Sequence, residues 1–302
     1  MNQHSIKMKK LTLLFAACMM FCSTNAQVVR VISSTNKVES KSTPKENVDV
    51  VMYRITYNSK MANDTTNTPY RYSETQMRLD IGQKATHFYD YIKQKRDSII
   101  RARIKEGNFN FDGLPSGHNC VWEYYKNYPA EGKSTFTDVV GKDEYQCVEN
   151  VETPDWQLIP DSTATIMGYK CQLAKARFKG RTWFAWYTED IPVNEGPWKL
   201  CGLPGLILRA YDLPRQYVFD AAGMTTENGR WNITFSKKQR ESISQKELRE
   251  AKQKFDVKSL IASAAGNVEV THIDSNGNVT KGNTDKIMKR KLKTECNPIE
   301  LE

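Results

Sequence analysis

Between Val121 and Thr226 the chain runs as a series of short stretches rich in alternating apolar and polar residues, separated by glycine, proline and aspartate turns: VWEYYKNY, STFTDVV, EYQCVENV, YKCQLAKARFKG, RTWFAWYTED, LILRAYD and QYVFDAAGMTT. Parallel neighbours need a crossover of roughly a dozen residues or more, usually a helix. Most of these connections are too short for that, so the pattern predicts a meandering antiparallel sheet. The Lys179-Gly180-Arg181 turn marks one hairpin, joining the strand with Cys171 to the strand with Trp183 and Trp186.

The flanking regions extend this plan. VDVVMYRITYN places Val51, Tyr53, Ile55 and Tyr57 on one face of a strand, and ETQMRLDIG places Met77 and Leu79 on one face of another. From Ala85 to Glu106 the apolar residues Phe88, Ile92, Ile99 and Ile104 fit an amphipathic helix ended by Gly107. A charged helix is expected in SQKELREAKQKFDVKSLIAS, and a hairpin in VEVTHIDSNGNVT with its turn at Asn276-Gly277. There is no internal repeat and no second composition regime. The expectation is one domain over 48–302, of α+β class and β-dominated, with a curved antiparallel sheet and one or two packing helices.

The N-terminus reads as a secretory signal peptide over 1–26. Lys7, Lys9 and Lys10 precede the apolar run Leu11–Cys22, and Ser23-Thr24-Asn25-Ala26 supplies a small-residue cleavage site. A membrane-spanning helix needs about 20 apolar residues, which this run does not reach. Lipidation at Cys18 is the weaker alternative, because Met19-Met20-Phe21 continues the apolar run where a lipoprotein turns polar. Residues 27–47 are polar and read as a leader. Cleavage removes three lysines and no acids, so the formal charge of +9 falls to +6. The cations Lys286, Lys289, Arg290, Lys291 and Lys293 read first as a solvated face. No nucleic-acid motif accompanies them, and nucleic acid is not an expected partner.

Export bears on the cysteines. Cys120, Cys147, Cys171, Cys201 and Cys296 follow the signal, and an oxidising compartment favours pairing. The candidate disulfides are Cys171 with Cys201 and Cys120 with Cys147; the sequence leaves the connectivity open. Signatures of catalysis are absent: there is no GxSxG, HExxH, Walker loop, GxGxxG or EF-hand loop. His87, His118 and His272 are scattered. His118-Asn119-Cys120 offers two metal ligands without a second pair, and Glu189 and Asp190, as strand neighbours, point to opposite faces. No catalytic residue, metal or cofactor is therefore assigned. A hydrolase using Cys171 or His118 is the minor alternative.

Two segments carry the binding expectation. In RTWFAWYTED, Trp183, Ala185 and Tyr187 point one way and Phe184 and Trp186 the other, so both faces are apolar. This fits either a strand covered on both sides by core or a strand with one face lining an open apolar groove. Further on, Gly196-Pro197 and Pro204-Gly205 enclose WKLCGL, and Leu203-Pro204-Gly205-Leu206 fits a type II turn leading into a strand. The expected contact residues are Trp183, Trp186, Tyr187, Trp198, Leu203, Pro204 and Gly205, and the expected occupant is a hydrophobic ligand or an outer-membrane partner. A structural or scaffolding role in the envelope is the alternative.

GYKCQLAKARFKGRTWFAWYTEDIP, GPWKLCGLPGLILRAYD and the closing NPIEL together resemble the GLPGLI family, named for the string at Gly202–Ile207. The resemblance implies an exported protein of the Bacteroidetes with no established activity. By analogy of strand order, the fold is expected to be similar to the half-barrel of periplasmic lipoprotein carriers.

Overall fold

The structure is a computed structural model that describes residues 43–62, 64–117, 120–255, 271–273, 279–281 and 297–302. The signal peptide, most of the leader, His118, Cys296, the tail of the second helix and the Asn276-Gly277 turn lie outside the described residues. Among the described residues, fifteen strands and two helices follow in order: β1 (Lys45–Ala62), β2 (Tyr72–Gly82), β3 (Thr86–Asp90), α1 (Tyr91–Lys105), β4 (Glu123–Lys126), β5 (Lys133–Val140), β6 (Asp143–Asn150), β7 (Gln157–Ile166), β8 (Tyr169–Phe178), β9 (Arg181–Thr188), β10 (Leu206–Asp212), β11 (Tyr217–Thr226), β12 (Asn232–Ser236), β13 (Glu241–Ser242), α2 (Gln245–Lys254), β14 (Thr271–Ile273) and β15 (Val279–Lys281).

Thirteen strands form one open sheet in the order β13-β6-β5-β4-β3-β2-β1-β11-β10-β9-β8-β7, with β12 paired to β1. The pairings are antiparallel except for the short β13, which runs parallel to β6 at one edge. The β-dominated class is thus as the sequence pattern indicates. Strand β1 runs through the middle because its length lets it pair with β2, β11 and β12. The β8–β9 hairpin turns on Lys179 (φ +47°) and Gly180 (φ +75°), with Phe178 opposite Arg181. Positive φ at both central residues is what a two-residue type I′ turn requires, and it matches the twist of the strands.

The helix expected over 85–106 is two elements. Thr86–Asp90 is a fully buried strand between β2 and β4, and the helix begins at Tyr91. Asp90 divides them: its side chain accepts the Lys93 N–H at 2.8 Å and caps the helix. Gly107, at φ +72°, follows the helix end as expected. In α2, Ser244 and Glu247 form a reciprocal capping box. The pattern also missed β7, whose Pro160 and polar residues hide an edge strand, and β12, which is five residues long. Conversely, Lys45–Asn47, assigned to the leader, already belongs to β1.

The main core lies on the inner face of the sheet, where Ile55, Tyr57, Met77, Leu79, Phe88, Trp183 and Phe219 are at most 1% exposed. A register shift in β1 between Val51 and Tyr53 turns Val51 away from this core, and it packs instead with Tyr125, Ile233 and Phe235 on the outer face. A second shift, in β10 between Ile207 and Arg209, leaves Leu208 unpaired with β9. Leu206, Ile207 and Leu208 are all fully buried.

The type II turn expected at Leu203–Leu206 does not form. Gly205 has no positive φ; Gly202 does, at +92°. Gly205 is needed for space: a Cβ there would lie 2.0 Å from the Thr188 carbonyl oxygen at the end of β9. Gly205→Ala should therefore cost about 3 kcal/mol through forced backbone displacement. Gly132→Ala, at φ +72° with nothing within 4 Å, should cost about 1 kcal/mol from conformation alone. Urea denaturation of both variants checks this, and equal losses would remove the close approach as the reason for Gly205.

Candidate functional site

The connection between β9 and β10, residues 189–205, forms a second layer across the inner face. Trp198, Leu200 and Leu203 are at most 2% exposed. The Trp198 ring lies 5.4 Å from Trp183 and 5.8 Å from Phe178 between centroids, and the Tyr57 hydroxyl donates to the Ile207 carbonyl at 2.7 Å. Four of the residues expected to line a groove, Trp183, Tyr187, Trp198 and Leu203, are thus packed against one another or against the sheet as core. The protein's own loop fills the space. Gly205 is buried in the same layer, whereas Pro204 is exposed at its tip and Trp186 lies partly exposed on the outer face.

Charged groups fix where this loop sits. Lys126 on β4 pairs with Glu195 at 2.5 Å, and Lys199 pairs with Glu149 on β6 at 2.6 Å and with Glu300 at 2.7 Å. Lys199 is 5% exposed, and its ammonium lies 5.8 Å and 5.9 Å from the Tyr124 and Phe136 ring centroids, within cation–π range. Burial pushes the Glu195 carboxyl up against the opposing pull of Lys126. These pairs join the loop to β4 and β6, on the far half of the sheet from β9 and β10.

Neither expected disulfide forms. Cys120, Cys147, Cys171 and Cys201 are buried free thiols. Their surroundings differ: Cys171 sits on β8 opposite Ala164, Cys201 lies in the loop near Lys126, Cys147 faces Phe136 on β5, and the Cys120 amide donates to Asp90 at 3.0 Å. Position along the sequence carries no information on the geometry a disulfide needs. Burial pushes all four thiols up, Cys147 to about 12, so they are protonated and poorly nucleophilic at neutral pH. Among the described residues, no three His, Cys, Asp or Glu side chains gather as a metal site.

The outer face carries two clusters, one over each half of the sheet. Over β1–β4, His87 is stacked between Tyr89 and Tyr125 at 4.3 Å and 4.0 Å. Its Nε2 lies 3.0 Å from Glu123 Oε2, which also accepts the Tyr125 hydroxyl at 2.9 Å. Beside it, Arg54 makes two hydrogen bonds to Asp80, at 2.6 Å and 2.9 Å, and Tyr89 donates to the same carboxylate at 3.2 Å. The sequence does not show the His87 cluster because two of its partners, Glu123 and Tyr125, come from β4, more than thirty residues on; the clue available is a histidine flanked by aromatics in THFYD. Over β8–β11, Phe184 stacks on Tyr211 at 5.4 Å, and the Arg215 guanidinium lies 4.2 Å from the Tyr211 ring. Trp186 and Leu173 form the neighbouring cross-strand pair, and Leu213 is 63% exposed.

Together these features define a β-dominated α+β protein with one large open sheet, a self-filled inner face and an aromatic outer face; among the described residues no helix is long and apolar enough to cross a membrane. Residues 144–209, from β6 into β10, match a family model described as "Protein of unknown function (Porph_ging)", which fits the resemblance read from the sequence. No curated protein matches the chain. Among solved structures, two crystal forms of PNGF-II, in space groups P21 and C2, align over 68% of this chain at 15% identity with a TM-score of 0.42. The alignment covers 33% of the PNGF-II chains, so this chain spans about a third of their length.

The His87 cluster has a testable pH signature. Burial pushes the Glu123 carboxyl up, but the hydrogen bond and charge of His87, with Tyr125 and Lys93, outweigh it and hold the carboxyl at about 2 against an ordinary 4.5. A depressed folded value means that the unfolded chain binds more protons in this window. The stabilisation is complete above pH 4.5 and is lost as pH falls toward about 2. The wild type should therefore lose stability relative to Glu123→Gln across that interval in urea denaturation. Since the side chain is 40% exposed, solvent screening makes the effect modest. A constant difference would separate Glu123 from His87.

Proposed function

We propose that this protein is an exported, non-enzymatic component of the cell envelope that holds a hydrophobic ligand or an envelope partner on the outer face of β8–β11. The observation that carries this reading is the row of partly exposed rings Trp186, Phe184 and Tyr211, beside the exposed Leu213 and under Arg215. Rings of this size offer large contact area at low cost in conformational freedom. The signal-peptide pattern at 1–26 supports export. The family match, to a family of unknown function, is consistent with an envelope protein and supplies no reaction.

The test is native purification from the envelope, with mass spectrometry of copurifying lipids and proteins. Trp186→Ala and Tyr211→Ala should each weaken retention about tenfold, equivalent to about 1.4 kcal/mol, with little change in Tm. Trp183→Ala, fully buried, should instead cost about 3–5 kcal/mol of stability. A wild-type protein that purifies without lipid or partner, or outer-face variants that melt as early as Trp183→Ala, would overturn the proposal.

A further inference from the structure

Asn297–Glu302, sequence NPIELE, sits in a slot built by residues remote in sequence. Arg181 donates from Nε to the Ile299 carbonyl at 2.9 Å and from Nη2 to the Pro298 carbonyl and the Asn297 side-chain oxygen, both at 2.6 Å. Its Nη1 donates to Asp212 at 2.6 Å and to Gln216 at 2.9 Å. The Tyr217 hydroxyl donates to the Asn297 carbonyl at 2.5 Å, and Asn297 Nδ2 donates to the Ala62 carbonyl at 2.7 Å. The Leu301 N–H reaches the Lys179 carbonyl at 3.0 Å, Lys199 pairs with Glu300, and Arg249 donates to the Glu302 carbonyl at 2.7 Å. Ile299 and Glu300 are 6% and 3% exposed.

These contacts read a sequence. The asparagine side chain is both donor and acceptor, the glutamate carboxylate meets a buried ammonium, and the Pro298 and Ile299 backbone carbonyls set the register on the Arg181 fork. The segment takes the Nε and Nη2 donors of Arg181 that Asp212 and Gln216 leave over, and it gives Lys199 the second of its two carboxylates. The partners of the segment lie 53 to 235 positions away, so the same atoms are satisfied whether the segment arrives from this chain or from another.

We propose that this slot is a peptide-recognition site for acidic, proline-containing segments of the NPIELE type, and that its partner is a second copy of this chain, which exchanges the segment. Each copy carries both halves of the contact, and exchange of an identical element is a low-cost route to a dimer. The slot lies apart from the outer-face rings, and its test is independent of them.

The acceptor is the full chain carrying Asn297→Ala and Glu300→Gln, which weakens its own segment. Acetylated NPIELE peptide at about 1 mM should raise the acceptor's Tm saturably, by ligand linkage, and leave the wild-type Tm in place; an NAIQLE peptide should shift neither Tm. Acceptor mixed with equimolar wild type should give a mixed dimer in native mass spectrometry. No shift and no mixed dimer in a folded acceptor would overturn the site. Peptide binding without a mixed dimer would overturn the second copy as partner. If the double variant does not fold, Glu300→Gln alone serves as acceptor with the same readings.

Discussion

The contact on which the rest of the molecule depends is that between the β9–β10 connection and the inner face of the sheet. An open sheet of thirteen strands has one face that must be covered, and here little helix is available to cover it. Trp198, Leu200 and Leu203 take that role, each burial contributing on the order of 2 kcal/mol. The lysine pairs that accompany them are closer to break-even, since desolvation offsets most of the attraction between buried charges. The apolar residues thus hold the loop down, while Lys126 and Lys199 determine where it lies. By reaching β4 and β6 from the far half of the sheet, the loop ties both halves into one core.

This arrangement separates two jobs that the sequence presents as one. The glycine- and proline-rich string is the most distinctive stretch of the chain, yet apart from Gly202 and Pro204 its residues are buried for packing, and Gly205 is fixed by the proximity of the Thr188 carbonyl. Two further clusters lie on the opposite face: the buried, tyrosine-sandwiched His87 over one half, and the partly exposed Phe184–Tyr211 stack over the other. A stretch can be distinctive on packing grounds, because steric necessity constrains residues as tightly as chemistry does.

Much of the fold was legible in the sequence because period-two alternation and turn residues act locally. Met77 and Leu79, the Lys179-Gly180 turn and the Asp-Gly-Pro punctuation gave most strands correctly. The failures arose where distant residues decide. THFYD reads as the start of a helix until β2 and β4 are present to pair with it, and β7 carries a proline that only an edge position tolerates. The expected groove failed for a similar reason: whether Trp183 and Tyr187 face solvent depends on a loop that returns over them, which no periodicity encodes. Disulfide pairing and the His87–Glu123 contact likewise depend on three-dimensional proximity between strands.

One consequence follows from the outermost strand. β7 ends the sheet, and its pairing with β8 shifts between Ile159 and Thr163, around Pro160 and Asp161 at φ +57°. The irregularity divides the strand into Gln157–Ile159 and Thr163–Ile166, neither long enough to template a stable ladder with a neighbouring molecule. A protein with so many strands and a free border would otherwise be prone to fibrillar growth by edge-to-edge addition. The kinked margin gives it a built-in stop, so that crowding of many copies need not convert the sheet into a seed for amyloid.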